Sequence, residues 1–138
     1  MIIAHRGNLN GPSERENTPD YILEAIQLGF DVEVDVWVTD GVYLGHDRPE
    51  TKIDIDFLKR HSDRLWCHAK NLNALHVLLR IGLHTFWHDT DDYVLTSRGV
   101  IWAYPGKDPQ GAIAVMPARG SDISGAIGVC TDYALEKW

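Results

Sequence analysis

Cysteine is scarce in this chain, and basic residues form no runs. The two cysteines, Cys67 and Cys130, lie in apolar stretches without the spacing of metal ligands, so we expect reduced thiols in the core rather than a disulfide framework. The 138 residues include 13 lysines and arginines against 20 acidic residues, which gives a formal net charge of -7. This acidic balance argues against a protein whose main partner is nucleic acid or an anionic membrane.

Long apolar segments are missing as well. No stretch of about 18 apolar residues exists, and charge arrives as early as Arg6, so the first residues lack the pattern of a signal peptide. These absences predict a cytoplasmic protein. Because no repeat, low-complexity tract or linker divides the chain, we expect residues 1–138 to form a single domain.

Short apolar strands alternate with amphipathic helices along the chain. The first helix, predicted at residues 18–28, has Thr18 as its cap, Pro19 as its first residue and Gly29 as its stop. The alternation predicts an α/β fold with parallel strands, either an open doubly wound sheet or a (β/α) barrel. The other predicted helices are residues 54–61 and 71–81, and the seven predicted strands are residues 2–4, 31–38, 65–68, 83–87, 100–103, 112–116 and 127–130.

The predicted strand at residues 31–38 has one apolar and one acidic face. Its four valines share the first face, while Glu33 and Asp35 share the second with their Cα atoms about 6.5 to 7 Å apart. Two like charges at this spacing share a proton, keep water, or bind a hard divalent cation, and we favour the cation. The alternative is a solvent-exposed acidic face on an edge strand.

Histidines and an arginine are expected beside this acidic pair. His5 and Arg6 follow the first strand, and a tight turn after the acidic strand returns His46 toward the carboxylates. A cation and Arg6 would neutralise phosphoryl oxygens, while two histidines would serve as acid and base. The set therefore predicts cleavage of a phosphodiester.

Five short motifs in a fixed order indicate a family. They are Ile3-Ala4-His5-Arg6-Gly7, Glu16-Asn17-Thr18-Pro19, Glu33-Val34-Asp35-Val36, Asp40-Gly41-Val42 and His46-Asp47, with Lys70 and Thr131-Asp132 as later landmarks. In this combination the chain resembles the glycerophosphodiester phosphodiesterase family of the phospholipase C-like phosphodiesterase superfamily. The resemblance covers the first 50 residues well and the middle of the chain only loosely.

The resemblance implies a TIM-type barrel that hydrolyses a glycerophosphodiester or a related small phosphodiester with a magnesium or calcium ion. It also implies a reaction in which a neighbouring hydroxyl of the substrate attacks phosphorus and water then opens the cyclic phosphate. The matched residues are Glu33 and Asp35 for the metal, His5 and His46 for catalysis, Arg6 and Lys70 for the phosphate, and Glu16 and Asn17 for the pocket rim.

One departure from the family concerns the metal ligands. The family usually has a glutamate two residues before the lysine that matches Lys70, and this chain has His68 there. A neutral imidazole removes one negative charge and is a softer donor, so we expect a third ligand that favours zinc or manganese over magnesium or calcium. The alternative is that His68 only forms hydrogen bonds and water completes the metal shell.

The other departure is length, because a (β/α) barrel needs about 200 residues or more. We therefore expect an abbreviated or partly open barrel in which several helices are missing, and residues 99–130 that run from strand to strand through loops. Uncovered strand edges predict a homodimer.

Two other functions stay open. A noncatalytic phosphate-binding or regulatory module is consistent with the short chain and His68, and a phosphodiester lyase would stop at the cyclic phosphate. Outside the motifs, we expect Trp87, Trp102 and Tyr104 to pack in the core rather than bind substrate. We expect His88 and the acidic residues after it to form a solvated loop that caps a short helical turn at residues 91–95.

Overall fold

The three helices form where the sequence predicts them. The computed structural model describes residues 1–138, with α1 at Pro19–Gln27, α2 at Ile55–Arg60 and α3 at Leu72–Arg80. Asn71 caps α3, because its side-chain oxygen accepts a hydrogen bond from the backbone N–H of Ala74 at 3.0 Å. Thr18 has the extended backbone of a cap, but its hydroxyl donates to the Arg15 carbonyl at 2.6 Å instead of capping α1. None of these helices has the length and apolarity that a membrane crossing requires.

Ten strands form one sheet around seven parallel strands. Each of the seven predicted strands contributes one of them, and their order across the sheet is β6-β5-β2-β1-β10-β9-β8. The short strands β3, β4 and β7 are antiparallel additions. The strands are β1 Ile2–His5, β2 Asp31–Val38, β3 Val42–Leu44, β4 Thr51–Ile53, β5 Leu65–Ala69, β6 Thr85–Phe86, β7 Tyr93–Leu95, β8 Ile101–Ala103, β9 Ile113–Val115 and β10 Gly128–Thr131.

The sheet is mixed and is not closed by strand pairing. The first and last strands, β1 and β10, lie side by side, whereas no pairing joins β6 to β7. Hydrogen bonds cross this seam, among them two between Thr85 and Ser97: the Ser97 N–H donates to the Thr85 carbonyl at 2.8 Å, and the Thr85 N–H donates to the Ser97 hydroxyl at 2.9 Å. The fold class is therefore α/β, and a complete TIM barrel is not confirmed.

The two faces of the sheet pack into two separate apolar clusters. Val32, Val34 and Val36 of β2 are fully buried in the larger cluster, under the three helices. Burying one such side chain contributes about 1.5 to 3 kcal/mol. The smaller cluster includes Trp66 and Trp102 on the other face, toward which alternation also directs Glu33 and Asp35. Cys67 and Cys130 are buried free thiols, one in each cluster, so the prediction of reduced core cysteines is confirmed.

The chain after α3 runs through loops and short strands, as the length predicts. The helical turn predicted at residues 91–95 is wrong, because Tyr93–Leu95 is a strand that pairs antiparallel with β8. Tyr93 and Leu95 are exposed together with Ile101 on the neighbouring strand. Nothing in the fold covers these three apolar side chains, and the homodimer stays a prediction.

Candidate metal and phosphate site

A cavity of about 210 Å³ opens on the sheet face that carries the acidic pair, and two chemically different groups of residues line it. The first group, the charged lining, consists of His5, Arg6, Glu33, Asp35 and His68. The second group, the aromatic lining, consists of Phe86, His88, Trp102 and Tyr104, and His46 also reaches the cavity. Six of the nine predicted site residues therefore line one cavity.

Three side chains of the charged lining lie close enough to share a cation. Glu33, Asp35 and His68 each offer one ligand atom, and these atoms lie within 4.8 Å of one another. The pairing of β2 with β5 sets Asp35 beside His68, whose Nδ1 is 3.1 Å from the Asp35 Oδ1 and 3.8 Å from the Glu33 Oε1. The donors thus fit a divalent cation in number and reach, and an imidazole among them suits zinc or manganese.

Two permanent cations lie beside the same carboxylates. The Arg6 Nε is 3.3 Å from the Asp35 Oδ2 but lacks hydrogen-bond geometry, and the Lys70 Nζ is 3.7 Å from the Asp35 Oδ1. Arg6 has a left-handed backbone with φ of 56°, which is uncommon for a residue other than glycine. Its backbone N–H still donates to the Glu33 carbonyl at 2.9 Å, so the strained turn holds the guanidinium against the acidic pair.

Glu16 and Asn17, predicted at the pocket rim, form hydrogen bonds with side chains of the charged lining. Glu16 accepts hydrogen bonds from the Arg6 Nη1 at 3.0 Å and from the Asn8 Nδ2 at 2.8 Å. Asn17 is buried and binds Asp35 twice at 3.0 Å, because its Nδ2 donates to the Asp35 carboxylate and its Oδ1 accepts from the Asp35 backbone N–H. Both residues fix the charged side chains and are not part of the cavity lining.

His5 is oriented by a carboxylate that the sequence identified only as a landmark. Its Nδ1 lies 2.7 Å from the Asp132 Oδ1, and its Nε2 lies 3.9 Å from the Glu33 Oε2. Asp132 also accepts a hydrogen bond from Asn8 at 2.8 Å. Burial lowers the pKa of His5, but the hydrogen bond to Asp132 and the charge of Glu33 outweigh burial, so its pKa lies above the ordinary value. Burial raises the pKa of Asp132, but the hydrogen bond with His5 prevails, and its pKa is lowered.

His46 occupies a more exposed position than His5. It follows β3 in a loop, its side chain is 43% exposed, and its Nδ1 lies 2.8 Å from a carboxylate oxygen of Asp47, which is 87% exposed. Gly45 adopts φ of 153° before it, where an added Cβ would collide with the Arg48 carbonyl oxygen. A glycine is therefore needed for the turn that brings His46 to the cavity.

The two central carboxylates have opposite pKa shifts. Burial and then the charge of Asp35 raise the pKa of Glu33 to about 7. Burial also raises the pKa of Asp35, but the close imidazole of His68 and the hydrogen bond from Asn17 outweigh it and lower that pKa to about 2. Asp35 is thus the ionised member of the pair, and Glu33 is the member that holds a proton near neutral pH.

The charges around the cavity favour an additional cation. With the histidines neutral, the carboxylates outnumber the permanent cations and leave two negative charges uncompensated. A divalent ion would balance them, and without one the raised pKa of Glu33 supplies a proton instead. The carboxylates are Glu16, Glu33, Asp35 and Asp132, and the permanent cations are Arg6 and Lys70.

The aromatic lining contains residues that the sequence analysis predicted to lie outside the site. Trp102 and Tyr104 line the cavity in addition to packing in the fold. Trp87 does not reach the cavity and is 44% exposed, so its predicted core packing is wrong. His88, expected in a solvated loop, also lines the cavity, and burial lowers its pKa. His88 follows Phe86 by two residues, just past the end of β6, and β6 lies next to the strand that carries His68; this position was the signal for its placement.

Comparisons with known proteins found no relative of this chain. A scan against protein-family models, a search of curated proteins and a search of solved structures each returned no match.

Proposed function

We propose that the protein is a metal-dependent phosphodiesterase that hydrolyses a glycerophosphodiester or a related small phosphodiester on a shortened, partly open (β/α) barrel. The observation that carries this proposal is the cavity in which Glu33, Asp35 and His68 place their donors within 4.8 Å of one another beside His5 and Arg6. The first 50 residues support it independently, because their motifs resemble the glycerophosphodiester phosphodiesterase family.

The charged lining would bind the phosphate. Glu33, Asp35 and His68 would hold the divalent ion, which when bound supplies Lewis-acid stabilisation of charge on phosphoryl oxygens. Arg6 adds a guanidinium that is fixed in place by Glu16 and Asp35. Lys70 lies beside Asp35 and would add a second positive charge near the phosphate. Cationic groups fixed before substrate binds stabilise the transition state because they need no reorganisation during the reaction.

Histidines would transfer the protons. A hydroxyl group of the substrate next to the phosphate forms a bond to phosphorus, its proton passes to a base, and the bond to the leaving oxygen breaks as an acid protonates that oxygen. Water then opens the cyclic phosphate by the reverse proton transfers. His5 suits one of these roles because Asp132 occupies its Nδ1 and leaves its Nε2 for the cavity. His46 is the second histidine that the sequence predicts.

A noncatalytic phosphate-binding module is the second candidate. The observation that favours it is the number of protein groups already satisfying Asp35. Its carboxylate is already engaged without an ion, because four side chains approach it within 3.7 Å: those of Arg6, Asn17, His68 and Lys70. A module of this kind would bind a phosphate monoester and turn over no diester.

Turnover with defined metals separates these functions. The metal-stripped protein is assayed with glycerophosphocholine and bis-p-nitrophenyl phosphate after addition of magnesium, calcium, manganese or zinc. We expect activity only with metal, and a loss of about 10²- to 10⁴-fold in kcat for His5→Ala. His76→Ala, a histidine exposed on α3, is the matched control.

The reaction products, and the outcomes without turnover, distinguish the candidate functions further. Phosphorus NMR distinguishes a hydrolase, which yields a phosphate monoester, from a lyase, which accumulates the cyclic phosphate. Glycerol 3-phosphate binding without turnover by any metal form would support the module. Full activity of His5→Ala would contradict the proposed catalysis.

A further inference from the structure

His88 lies in the cavity but has no role in the motifs that led to the proposed function. Its side chain is 20% exposed, and it forms no hydrogen bond with the rest of the protein. Its Nδ1 is buried without a hydrogen-bond partner, and the Asp91 Oδ2 lies 4.0 Å from it. A histidine whose ring nitrogens are not engaged by the protein is free to act as a ligand or proton acceptor.

The ring of His88 is held in a fixed orientation by an aromatic neighbour. It stacks on Tyr104 with 3.6 Å between ring centroids and 11° between ring planes. Its centroid lies 6.2 Å from that of His68, one of the three clustered donors. A substrate hydroxyl next to a phosphate held by that cluster is therefore within reach of His88.

His88 is as buried as His5 and more buried than His46. The side chains of His5 and His88 are 19% and 20% exposed. Asp132 lies 2.7 Å from the Nδ1 of His5, and Asp91, itself 58% exposed, lies 4.0 Å from the Nδ1 of His88. His46 is 43% exposed and bound to an exposed aspartate of its own loop. A proton-transfer group needs a fixed ring and a site from which water is excluded, and His88 meets both conditions better than His46.

We propose that His88 is a catalytic residue of this site and that its Nε2 accepts the proton of the hydroxyl group that attacks phosphorus. This inference rests on the proposed function and assigns the base role to His88 instead of His46. The hydroxyl oxygen forms the new bond to phosphorus, its proton goes to His88, the bond to the leaving oxygen breaks, and His5 protonates that oxygen. In the second half, the oxygen of a water molecule bonds to phosphorus and its proton goes to His5, while the bond to the ring oxygen breaks and His88 returns its proton to that oxygen.

Chemical rescue tests the role of His88. The kcat of glycerophosphocholine hydrolysis is measured for the wild type, His88→Ala, His88→Gln and His46→Ala, with and without added imidazole. We expect His88→Ala to lower kcat by about 10²- to 10⁴-fold with little change in KM, and imidazole to restore at least about tenfold. His88→Gln, which cannot accept the proton, should be equally slow and unrescued, and His46→Ala should lose less than about tenfold.

A comparison of leaving groups separates the base from the acid. Because His88 acts on the attacking hydroxyl, its removal should slow glycerophosphocholine and glycerol p-nitrophenyl phosphate equally. A smaller effect on the nitrophenyl ester would assign His88 to the leaving oxygen and overturn the base role. Activity of His88→Ala within about threefold of the wild type, or a loss without rescue, would overturn the proposal.

Binding of glycerol 3-phosphate keeps the two proposals separable. If the wild type turns over no diester, the proposed function fails and the catalytic step fails with it. The placement of His88 is then judged from its ring resonances in NMR spectra during a titration with glycerol 3-phosphate. A change at His88 that His76 does not show would support the contact, and unchanged resonances at saturating ligand would overturn it.

Discussion

Replacement of Glu33 by glutamine should stabilise the protein when no metal is present. The ordinary pKa of a glutamate is 4.5, and burial together with the charge of Asp35 raises that of Glu33 to about 7. An acid whose pKa is higher in the folded state contributes most stability below its unfolded pKa, and that contribution is lost as pH rises from about 4.5 to about 7. Glu33→Gln removes the ionisation and keeps the size and shape of the side chain.

The expected magnitude follows from the pKa difference. Each pKa unit corresponds to about 1.4 kcal/mol, so the rise from 4.5 to about 7 corresponds to about 3 kcal/mol. Glu33 is 2% exposed, and solvent screening does not reduce this figure appreciably. The free energy of unfolding of Glu33→Gln should therefore equal that of the wild type near pH 4 and exceed it by about 3 kcal/mol at pH 8.

Urea unfolding in EDTA at several pH values measures this difference. Glu24→Gln is the matched control, since Glu24 is 45% exposed on α1 and pairs only with Arg15, and it should change stability by less than about 1 kcal/mol. Addition of manganese or zinc should stabilise the wild type and not Glu33→Gln, because the metal replaces the proton at Glu33. A variant less stable than the wild type at pH 8 in EDTA would refute the reasoning.

Three further predictions concern single residues of the site. Asp132→Asn removes the negative charge beside His5, so the pKa of His5 should fall in an NMR titration, and an unchanged pKa would contradict the pairing. His68→Glu should shift metal preference about tenfold or more from zinc and manganese toward magnesium and calcium in competitive binding measurements, because it adds a charged oxygen ligand. Gly45→Ala should lower the free energy of unfolding by about 1 to 3 kcal/mol in urea titrations, because a Cβ would collide with the Arg48 carbonyl oxygen. Wild-type stability of that variant would show that the turn is not strained.

The sequence predicted the parallel strands and the acidic pair because these depend on local patterns. Apolar runs bounded by glycine or proline mark buried strands, and alternation along β2 separates the valines from Glu33 and Asp35. The strand β7 was missed, because two of its three residues are exposed and the aspartates before it are typical of a helix start. The open seam between β6 and β7 depends on which strand edges pair in the folded chain, and no local sequence pattern specifies that pairing.

The contacts that hold the site residues in position were harder to predict than the site residues themselves. Asn8 donates to Asp132, and these residues are 124 positions apart in the chain. The distance of His88 from His68 likewise depends on where β6 packs against β5. Contacts of this kind arise from tertiary packing, so only residues that match a motif could be assigned from the sequence.

The two central carboxylates differ in how many protein groups stabilise their negative charge, and this difference bears on the proposed cation binding. Asp35 receives a hydrogen bond from Asn17 and approaches Arg6, His68 and Lys70, so the fold itself stabilises its charge. The Glu33 carboxylate accepts one hydrogen bond, from the Arg6 backbone N–H at 3.3 Å. In the proposed metal site, Asp35 would therefore be ready as a ligand, a proton and a cation would compete for Glu33, and that carboxylate would control metal binding.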